Sequence, residues 1–208
     1  MTKISFVYFD VGGVVLLDYS GTHKWEEMKA GLGVTPTTNA QFENIWDSKH
    51  DLICLDYDVE QYVPQFRRLG LPVPTNYSMV KDFVDRYDPN PTIWSLIDNL
   101  KKKVKVGLLT NMYPKLLSTI YSRGDLLLRS DWDITIDSSV VKAQKPDIKI
   151  YLIAQEQAGV SGSEILFIDN QQRHLDGAKQ LGWQTFLYDS KDYEKSSQEL
   201  AKFLESYL

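Results

Sequence analysis

The sequence is short of cysteine, of long apolar runs and of surplus positive charge. Only one of the 208 residues is a cysteine, Cys54, so no disulfide can form within the chain. No apolar run approaches the roughly 20 residues that a membrane-spanning helix needs, and the N-terminus lacks a signal-peptide pattern. These absences favour a soluble protein of a reducing, cytoplasmic compartment, with no membrane partner.

The charge balance argues against a nucleic-acid partner. The formal net charge is -5 at pH 7, whereas binding to a phosphate backbone needs a basic face. The three histidines are scattered and lack the spacing of zinc ligands. The hydrophobic content of 43% is enough for a substantial core, either in one domain or in a core with a smaller inserted lobe.

Short apolar runs alternate with helical patterns over most of the chain. Because strands that are apolar throughout are covered on both faces, these runs predict a parallel sheet. The alternation predicts a doubly wound, Rossmann-like α/β core. The predicted strands are Ile4–Phe9, Val104–Leu109, Ile165–Ile168 and Thr185–Tyr188, with a weaker fifth at Trp132–Ile136, and the predicted helices are Thr92–Lys101, Pro114–Ser122, Asp147–Ala158, Gln171–Leu181 and Asp192–Tyr207.

The alternation of strand and helix is interrupted between residues 18 and 88. Apolar residues there recur at helical spacings, and clusters of glycine and proline separate them. A helical block that follows the first strand is best explained as a cap over the carboxyl edge of the sheet. We therefore expect a discontinuous core domain, residues 1–17 and 89–208, and a helical cap domain, residues 18–88.

Polar side chains follow three of the predicted strands directly. Asp10 ends the first apolar run on a glycine turn, where α/β enzymes place a nucleophile or a metal ligand. Thr110 and Asn111 end the second run, where a hydroxyl and a backbone N–H can bind phosphate oxygens. Asp169 and Asn170 follow a later run, and their paired oxygens suit a hard cation such as Mg²⁺.

A lysine stands just before a helix start. Pro146 suits the first helical position, and Asp147 lies near the positive end of the helix dipole. Lys145 has no capping role, so it is either an ordinary surface lysine or a cation directed at an anionic site. Each of these elements alone is ordinary turn or surface chemistry, and only the ordered set is specific.

The ordered set resembles the haloacid dehalogenase superfamily, and the resemblance covers essentially the whole chain. The helical block stands where that superfamily carries its small helical cap. The first motif, Phe9–Val14, is most similar to sugar-phosphate-type phosphatases that also carry glycine here. The residues that carry the resemblance are Asp10, Thr110, Lys145-Pro146-Asp147, Asp169-Asn170 and the run from Gly177 to Gly182.

The resemblance implies a role for each of these residues. Asp10 would be the nucleophile that attacks phosphorus and forms an aspartyl-phosphate. Thr110 and the backbone at Asn111 would bind the phosphoryl oxygens, and Lys145 would neutralise charge on the nucleophile and the transferring group. Magnesium is the implied cofactor, with Asp10, the carbonyl of Gly12, Asp169 and Asn170 as its ligands.

Two positions depart from the superfamily's pattern. The usual acid–base aspartate, two positions after the nucleophile, is Gly12, and loss of general acid–base catalysis typically costs on the order of 10²–10⁴ in rate. Asn170 stands where a second acid is usual, which lowers the charge available to a metal ion. Four residues in or near the predicted cap could replace the missing acid, although charged residues there are usually only solvated: Asp18, His23, His50 and Asp51.

Three functions follow from these residues. The first is a magnesium-dependent phosphatase that hydrolyses a small, soluble phosphomonoester, with activity reduced by the glycine at position 12. The second is a binding or regulatory protein that keeps the phosphate pocket but has lost turnover. The third is a metal-free 2-haloacid dehalogenase, against which Gly12 and Asp169 both count. The oligomeric state and the physiological substrate are not specified by any of these motifs.

Overall fold

The computed structural model describes residues 3–128, 131–205 and 207. The predicted last helix, Asp192–Tyr207, and the predicted core domain both include residues outside these ranges. In chain order the elements are β1 (Phe6–Phe9), β2 (Leu16–Leu17), α1 (Lys24–Gly31), α2 (Asn39–Asp47), α3 (Val63–Arg68), α4 (Met79–Asp85), β3 (Asp88–Pro89), α5 (Trp94–Lys101), β4 (Lys105–Thr110), α6 (Leu116–Ser122), β5 (Thr135–Asp137), α7 (Ser138–Val141), α8 (Ile148–Ala158), β6 (Ile165–Asp169), α9 (Gln172–Lys179), β7 (Gln184–Leu187) and α10 (Tyr193–Glu205).

Five parallel strands form a single sheet in the order β5-β4-β1-β6-β7. The central strand is β1, in which Phe9 pairs with Leu108 of β4 on one side and with Ile168 of β6 on the other. The next two strands of the sheet along the chain, β4 and β5, lie on one side of β1, and the last two, β6 and β7, lie on the other side. Ligands of doubly wound folds bind at the carboxyl ends of the strands where the order reverses in this way.

The predicted doubly wound α/β fold is confirmed. All five predicted strands and the five predicted helices of the core are present, with small shifts of their ends. One such shift places Asp147 just outside α8, where its Oδ1 accepts the backbone N–H of Lys149 at 2.9 Å and caps the helix. Among the helices of the described residues, none has the length and apolar character to cross a bilayer.

Residues 18–88, which we call the insert, connect β2 to β3 and contain α1 to α4. The strands β2 and β3 pair antiparallel, with Leu17 opposite Asp88, so the chain enters and leaves the insert side by side. The sequence pattern does not predict this pair, because two-residue strands carry no periodic signal. Aromatic rings fill the insert, with Trp46 packed 4.9 Å from Trp25 and 5.2 Å from Tyr62 between ring centroids.

The two faces of the sheet bury different apolar clusters. One cluster joins the sheet to the insert, α5 and α10, so the insert shares a continuous core with the strands. The other lies under α8 and α9, where Tyr8 stacks on Trp183 with their ring centroids 5.8 Å apart. This double coverage holds the strand ends rigidly, which is what a positioned site requires.

Candidate active site

A cavity of about 420 Å³ opens at the carboxyl ends of β1 and β4. This volume lies within the range of small-molecule sites. The insert contributes Asp18, His50 and Asp51 to its lining, whereas His23 does not line it. The predicted site residues that line the cavity are Asp10, Gly12, Thr110, Asn111 and Lys145.

The Lys145 ammonium is the electrostatic centre of the site. Its Nζ lies 3.0 Å from Asp10 Oδ1 and 2.7 Å from Asp169 Oδ2, and it donates a third hydrogen bond to the carbonyl of Leu109 at 3.0 Å. The whole residue is only 2% exposed. Lys145 is therefore not a surface lysine, and its three donors hold two buried carboxylates together.

The loop that carries Lys145 is fastened to the end of β4 by a side-chain amide. Asn111 Oδ1 accepts the backbone N–H of Lys145 at 2.8 Å, and Asn111 Nδ2 donates to the Lys145 carbonyl at 2.9 Å. Motif spacing alone does not reveal this role. The amide fixes the backbone of Lys145 against the strand tip.

Burial and charge act in opposite directions on the three ionisable groups. Burial raises the pKa of Asp10 to about 7, although the neighbouring Lys145 ammonium favours the charged carboxylate. Burial also acts to raise the pKa of Asp169, but Lys145 and His174 together hold it below its usual range. Burial acts to lower the pKa of Lys145, yet the two carboxylates raise it above its ordinary value. The lysine therefore stays charged, and Asp169 is its permanent counter-ion.

Asp169 lies behind Lys145 and outside the cavity lining, and both of its carboxylate oxygens are engaged. Its Oδ1 accepts the backbone N–H of Gln171 at 2.7 Å, and its Oδ2 accepts the Lys145 ammonium. The Nδ1 atom of His174 lies 3.2 Å from Oδ1 and 3.1 Å from Oδ2. His174 is thus a site residue that motif spacing does not reveal. Its position in the first turn of the helix after the strand tip is the one available signal.

Three buried polar atoms around this centre have no hydrogen-bond partner among the described residues. They are Thr110 Oγ1, Asn170 Oδ1 and His174 Nε2. Buried polar atoms are nearly always partnered in native proteins, because an unmet hydrogen bond in a low dielectric is expensive. Two of these atoms lie at the ends of β4 and β6, the strands on either side of β1, and the third lies in α9, so a ligand or an ion is indicated as the partner that completes the site.

The donor atoms fit a hard cation such as Mg²⁺. Asn170 donates through Nδ2 to Ser20 Oγ at 3.1 Å and to Ser190 Oγ at 3.0 Å, which leaves its buried Oδ1 as a free acceptor. Ligand atoms of Asp10, Asp169 and His174 lie within 4.8 Å of one another. Mg²⁺ is bound mainly by oxygen atoms, which Asp10, Asp169 and Asn170 offer and the His174 ring does not.

Comparison with known proteins gives one family, and its relatives include a phosphatase and a dehalogenase. The family model for haloacid dehalogenase-like hydrolases matches residues 6–182. The phosphatase MT3486 of Mycobacterium tuberculosis is 26% identical over 200 residues, covering 90% of this chain and 88% of the relative. The (S)-2-haloacid dehalogenase of Pseudomonas sp. (strain YL) is 27% identical over 121 residues, covering 57% of this chain and 51% of that enzyme.

A solved structure shares the fold. The HAD family enzyme bt-2542 from Bacteroides thetaiotaomicron superposes with a TM-score of 0.74 at 17% identity, over 92% of this chain and 96% of that one. The segment matched by the family model contains Asp10, Thr110, Lys145 and Asp169. The chain belongs to the haloacid dehalogenase-like hydrolases.

Proposed function

We propose that this protein is a phosphatase that hydrolyses a small phosphomonoester through an aspartyl-phosphate on Asp10. One observation carries the proposal: the Asp10 carboxylate and the unpartnered Thr110 hydroxyl line the same cavity, with the buried Lys145 ammonium 3.0 Å from Asp10. A nucleophile, a hydrogen-bond donor and a fixed cation are the three groups that phosphoryl transfer requires of a protein.

The reaction takes place in two displacements. In the first, an Asp10 oxygen bonds to phosphorus while the bond from phosphorus to the substrate oxygen breaks, and the leaving alkoxide takes up a proton. In the second, a water oxygen bonds to phosphorus, the Asp10–phosphorus bond breaks, and the water gives up a proton. The products are an alcohol and inorganic phosphate, and Asp10 returns to a free carboxylate.

The neighbours of Asp10 prepare it for this chemistry. Its Oδ1 accepts the backbone N–H of Val11 at 2.8 Å and the Lys145 ammonium at 3.0 Å, which fixes the carboxylate in one orientation. Lys145 offsets the charge that accumulates when a phosphoryl group approaches a carboxylate. The Thr110 hydroxyl would donate to a phosphoryl oxygen, which gives that buried oxygen the hydrogen-bond partner it lacks.

Magnesium is the cation that we propose for this site, held by Asp10, the carbonyl of Gly12, Asn170 and Asp169. When bound, it would supply Lewis-acid stabilisation of the phosphoryl oxygens. Because both Asp169 oxygens already have partners, we expect Asp10 and Asn170 to be the direct ligands among the side chains. The bt-2542 enzyme has been solved in complex with magnesium and inorganic phosphate, which supports the choice of ion.

The test is hydrolysis of an aryl phosphate and of a panel of phosphomonoesters, with millimolar Mg²⁺ and with a chelator. We expect Mg²⁺-dependent phosphate release by the wild type and none by Asp10→Asn. A phosphorylated Asp10 should be found by mass spectrometry of acid-quenched protein. The matched control is Asp176→Asn, which alters an exposed aspartate of α9 and should keep the wild-type rate. Full activity of Asp10→Asn would show that Asp10 is not the nucleophile.

Two other outcomes correspond to the other functions that the sequence allows. The similarity to the (S)-2-haloacid dehalogenase makes 2-haloacids a necessary part of the panel. Halide release without metal, and without any phosphate release, would identify a dehalogenase. Binding of inorganic phosphate by calorimetry, without turnover of any substrate, would identify a binding protein that has lost catalysis.

A further inference from the structure

The backbone of Gly12 lies directly against the carboxylate of Asp18. A Cβ built on Gly12 would overlap Asp18 Oδ2 and would lie 3.2 Å from Asp18 Cγ. The backbone of Gly12 is not in the left-handed region, unlike that of Gly13, whose φ is 75°. The backbone conformation at position 12 would therefore accept any residue. Glycine is favoured there because the Asp18 carboxylate occupies the volume that a side chain would need.

The local fold explains why a residue six positions later lies beside Gly12. The loop after β1 turns back on itself, with the Gly13 N–H donating to the Leu16 carbonyl at 2.8 Å. The pairing of β2 with β3 then fixes the chain up to Leu17, immediately before Asp18. Asp18 Oδ1 accepts the N–H of Ser20 at 2.8 Å, which holds the carboxylate by one oxygen.

Asp18 and Asp10 line the same cavity, together with Thr110 and Lys145. A side chain at position 12 would project into the volume that the Asp18 carboxylate now occupies. Of the other residues that could replace the missing acid, His50 and Asp51 are exposed at the cavity, and His23 does not line it. The three heavy atoms nearest to the place where this Cβ would be all belong to the Asp18 side chain.

We infer that Asp18 is the acid–base residue of this active site and takes the place of an acid at position 12. The inference rests on the proposed phosphatase function. Proton transfer requires a carboxyl group within reach of the reacting oxygen, and the position of that group in the sequence is immaterial.

With Asp18 in this role, each proton that the reaction consumes is returned within the same cycle. As the bond from phosphorus to the substrate oxygen breaks, the Asp18 carboxylic acid gives its proton to that oxygen and becomes a carboxylate. As water attacks the aspartyl-phosphate, the Asp18 carboxylate takes the proton of the water. Asp18 is thereby a carboxylic acid again at the end of the cycle, and no further reactant is needed.

The experiment compares two substrates that differ in their need for a proton. An alkyl phosphate has a poor leaving group that must be protonated, whereas p-nitrophenyl phosphate has a leaving group that needs little protonation. For Asp18→Asn we expect alkyl phosphate turnover to fall by about 10²-fold or more, the usual range for loss of an acid–base group. With p-nitrophenyl phosphate we expect a burst of nitrophenolate that matches the enzyme concentration, because the phosphorylated Asp10 then waits for an unassisted water.

A second pair of variants moves the acid back to position 12. Gly12→Asp alone should give no gain, because its side chain meets the Asp18 carboxylate. The double variant Gly12→Asp with Asp18→Ala, in which truncation clears the space beside position 12, should regain at least tenfold in alkyl phosphate turnover over Asp18→Ala alone. The control is Asp56→Asn, an exposed aspartate of the insert outside the cavity lining, which should leave the ratio of the two substrates unchanged.

The outcomes separate the two proposals. Phosphate release by the wild type with an unchanged substrate ratio in Asp18→Asn would overturn the role of Asp18 and leave the phosphatase proposal standing. No phosphate release by the wild type from any substrate would overturn both. Circular dichroism and calorimetric binding of inorganic phosphate show whether Asp18→Asn is folded. If Asp18→Asn is not folded, the test uses Gly12→Ala, which displaces the same carboxylate. An unchanged ratio of alkyl phosphate turnover to p-nitrophenyl phosphate turnover in Gly12→Ala would overturn the role of Asp18.

Discussion

Lys145 Nζ lies 2.7 Å from Asp169 Oδ2, and neither side chain is exposed to solvent. The pair is extended by Asp10 on one side and by His174 on the other. A buried charge is tolerated only when it is paired, because transfer of an ion out of water is costly. Lys145 is therefore a structural residue of the site in addition to the catalytic role that we propose for it.

Removal of this cation should destabilise the protein as well as inactivate it. In Lys145→Met the two carboxylates lose their shared partner, and we expect the free energy of unfolding to fall by about 3–5 kcal/mol. Urea denaturation followed by circular dichroism measures this change. The control is Lys149→Met, an exposed lysine in α8, for which we expect a change within about 0.5 kcal/mol. Equal stability of the two variants would contradict a buried ion pair.

The Thr110 hydroxyl should contribute to ligand binding without contributing to stability. Its oxygen has no hydrogen-bond partner of normal geometry among the described residues, although the hydroxyl favours the charged Asp10 carboxylate, and Thr110→Val keeps the shape of the side chain. We expect the melting temperature to stay the same or rise. The inhibition constant of inorganic phosphate should increase about 10- to 100-fold, because one hydrogen bond to a charged group is lost.

Thr135→Val, on the neighbouring strand β5, is the matched control for this prediction. Thr135 is exposed and does not line the cavity, so the inhibition constant of inorganic phosphate for Thr135→Val should match that for the wild type. A fall in the stability of Thr110→Val with no change in inhibition would show that the hydroxyl serves the fold instead.

The positions of Asp10, Thr110 and Asp169 could be predicted from the sequence because each follows a buried parallel strand. The carboxyl ends of such strands meet at one edge, so three separated motifs converge. The neighbour of Gly12 could not be predicted in this way. It depends on a two-residue strand pair between β2 and β3, whose hydrogen bonds join residues far apart in the chain and leave no periodic pattern.

Fully buried Asn90 joins the exit of the insert to the core. Its Nδ2 donates to the Val14 carbonyl at 2.7 Å and to the Tyr188 hydroxyl at 2.9 Å, and its Oδ1 accepts the N–H of Thr92 at 3.1 Å. Asn90→Ala removes the side-chain donor of the buried Val14 carbonyl and one of the three partners of the Tyr188 hydroxyl, so we expect a loss of about 2–4 kcal/mol in the free energy of unfolding. Urea denaturation measures it, with exposed Asn76→Ala as the control.

A double-mutant cycle tests whether these bonds act together. Tyr188→Phe removes only the hydroxyl that Asn90 contacts, and we expect a coupling of about 0.5–3 kcal/mol between the two substitutions. Additive effects would show that the Asn90–Tyr188 bond contributes nothing of its own, and that the cost of Asn90→Ala comes from Val14 and Thr92.

The single thiol should be unreactive in the native protein. Burial raises the pKa of Cys54 to about 12, and only the thiolate attacks a disulfide reagent. At pH 8 the native thiol should therefore react roughly 10³-fold more slowly with Ellman's reagent than an ordinary cysteine does. Because the chain has one cysteine, the urea-unfolded protein serves as its own control and should react at the ordinary rate with one equivalent of reagent. Equal rates for the native and unfolded protein would contradict the raised pKa of Cys54.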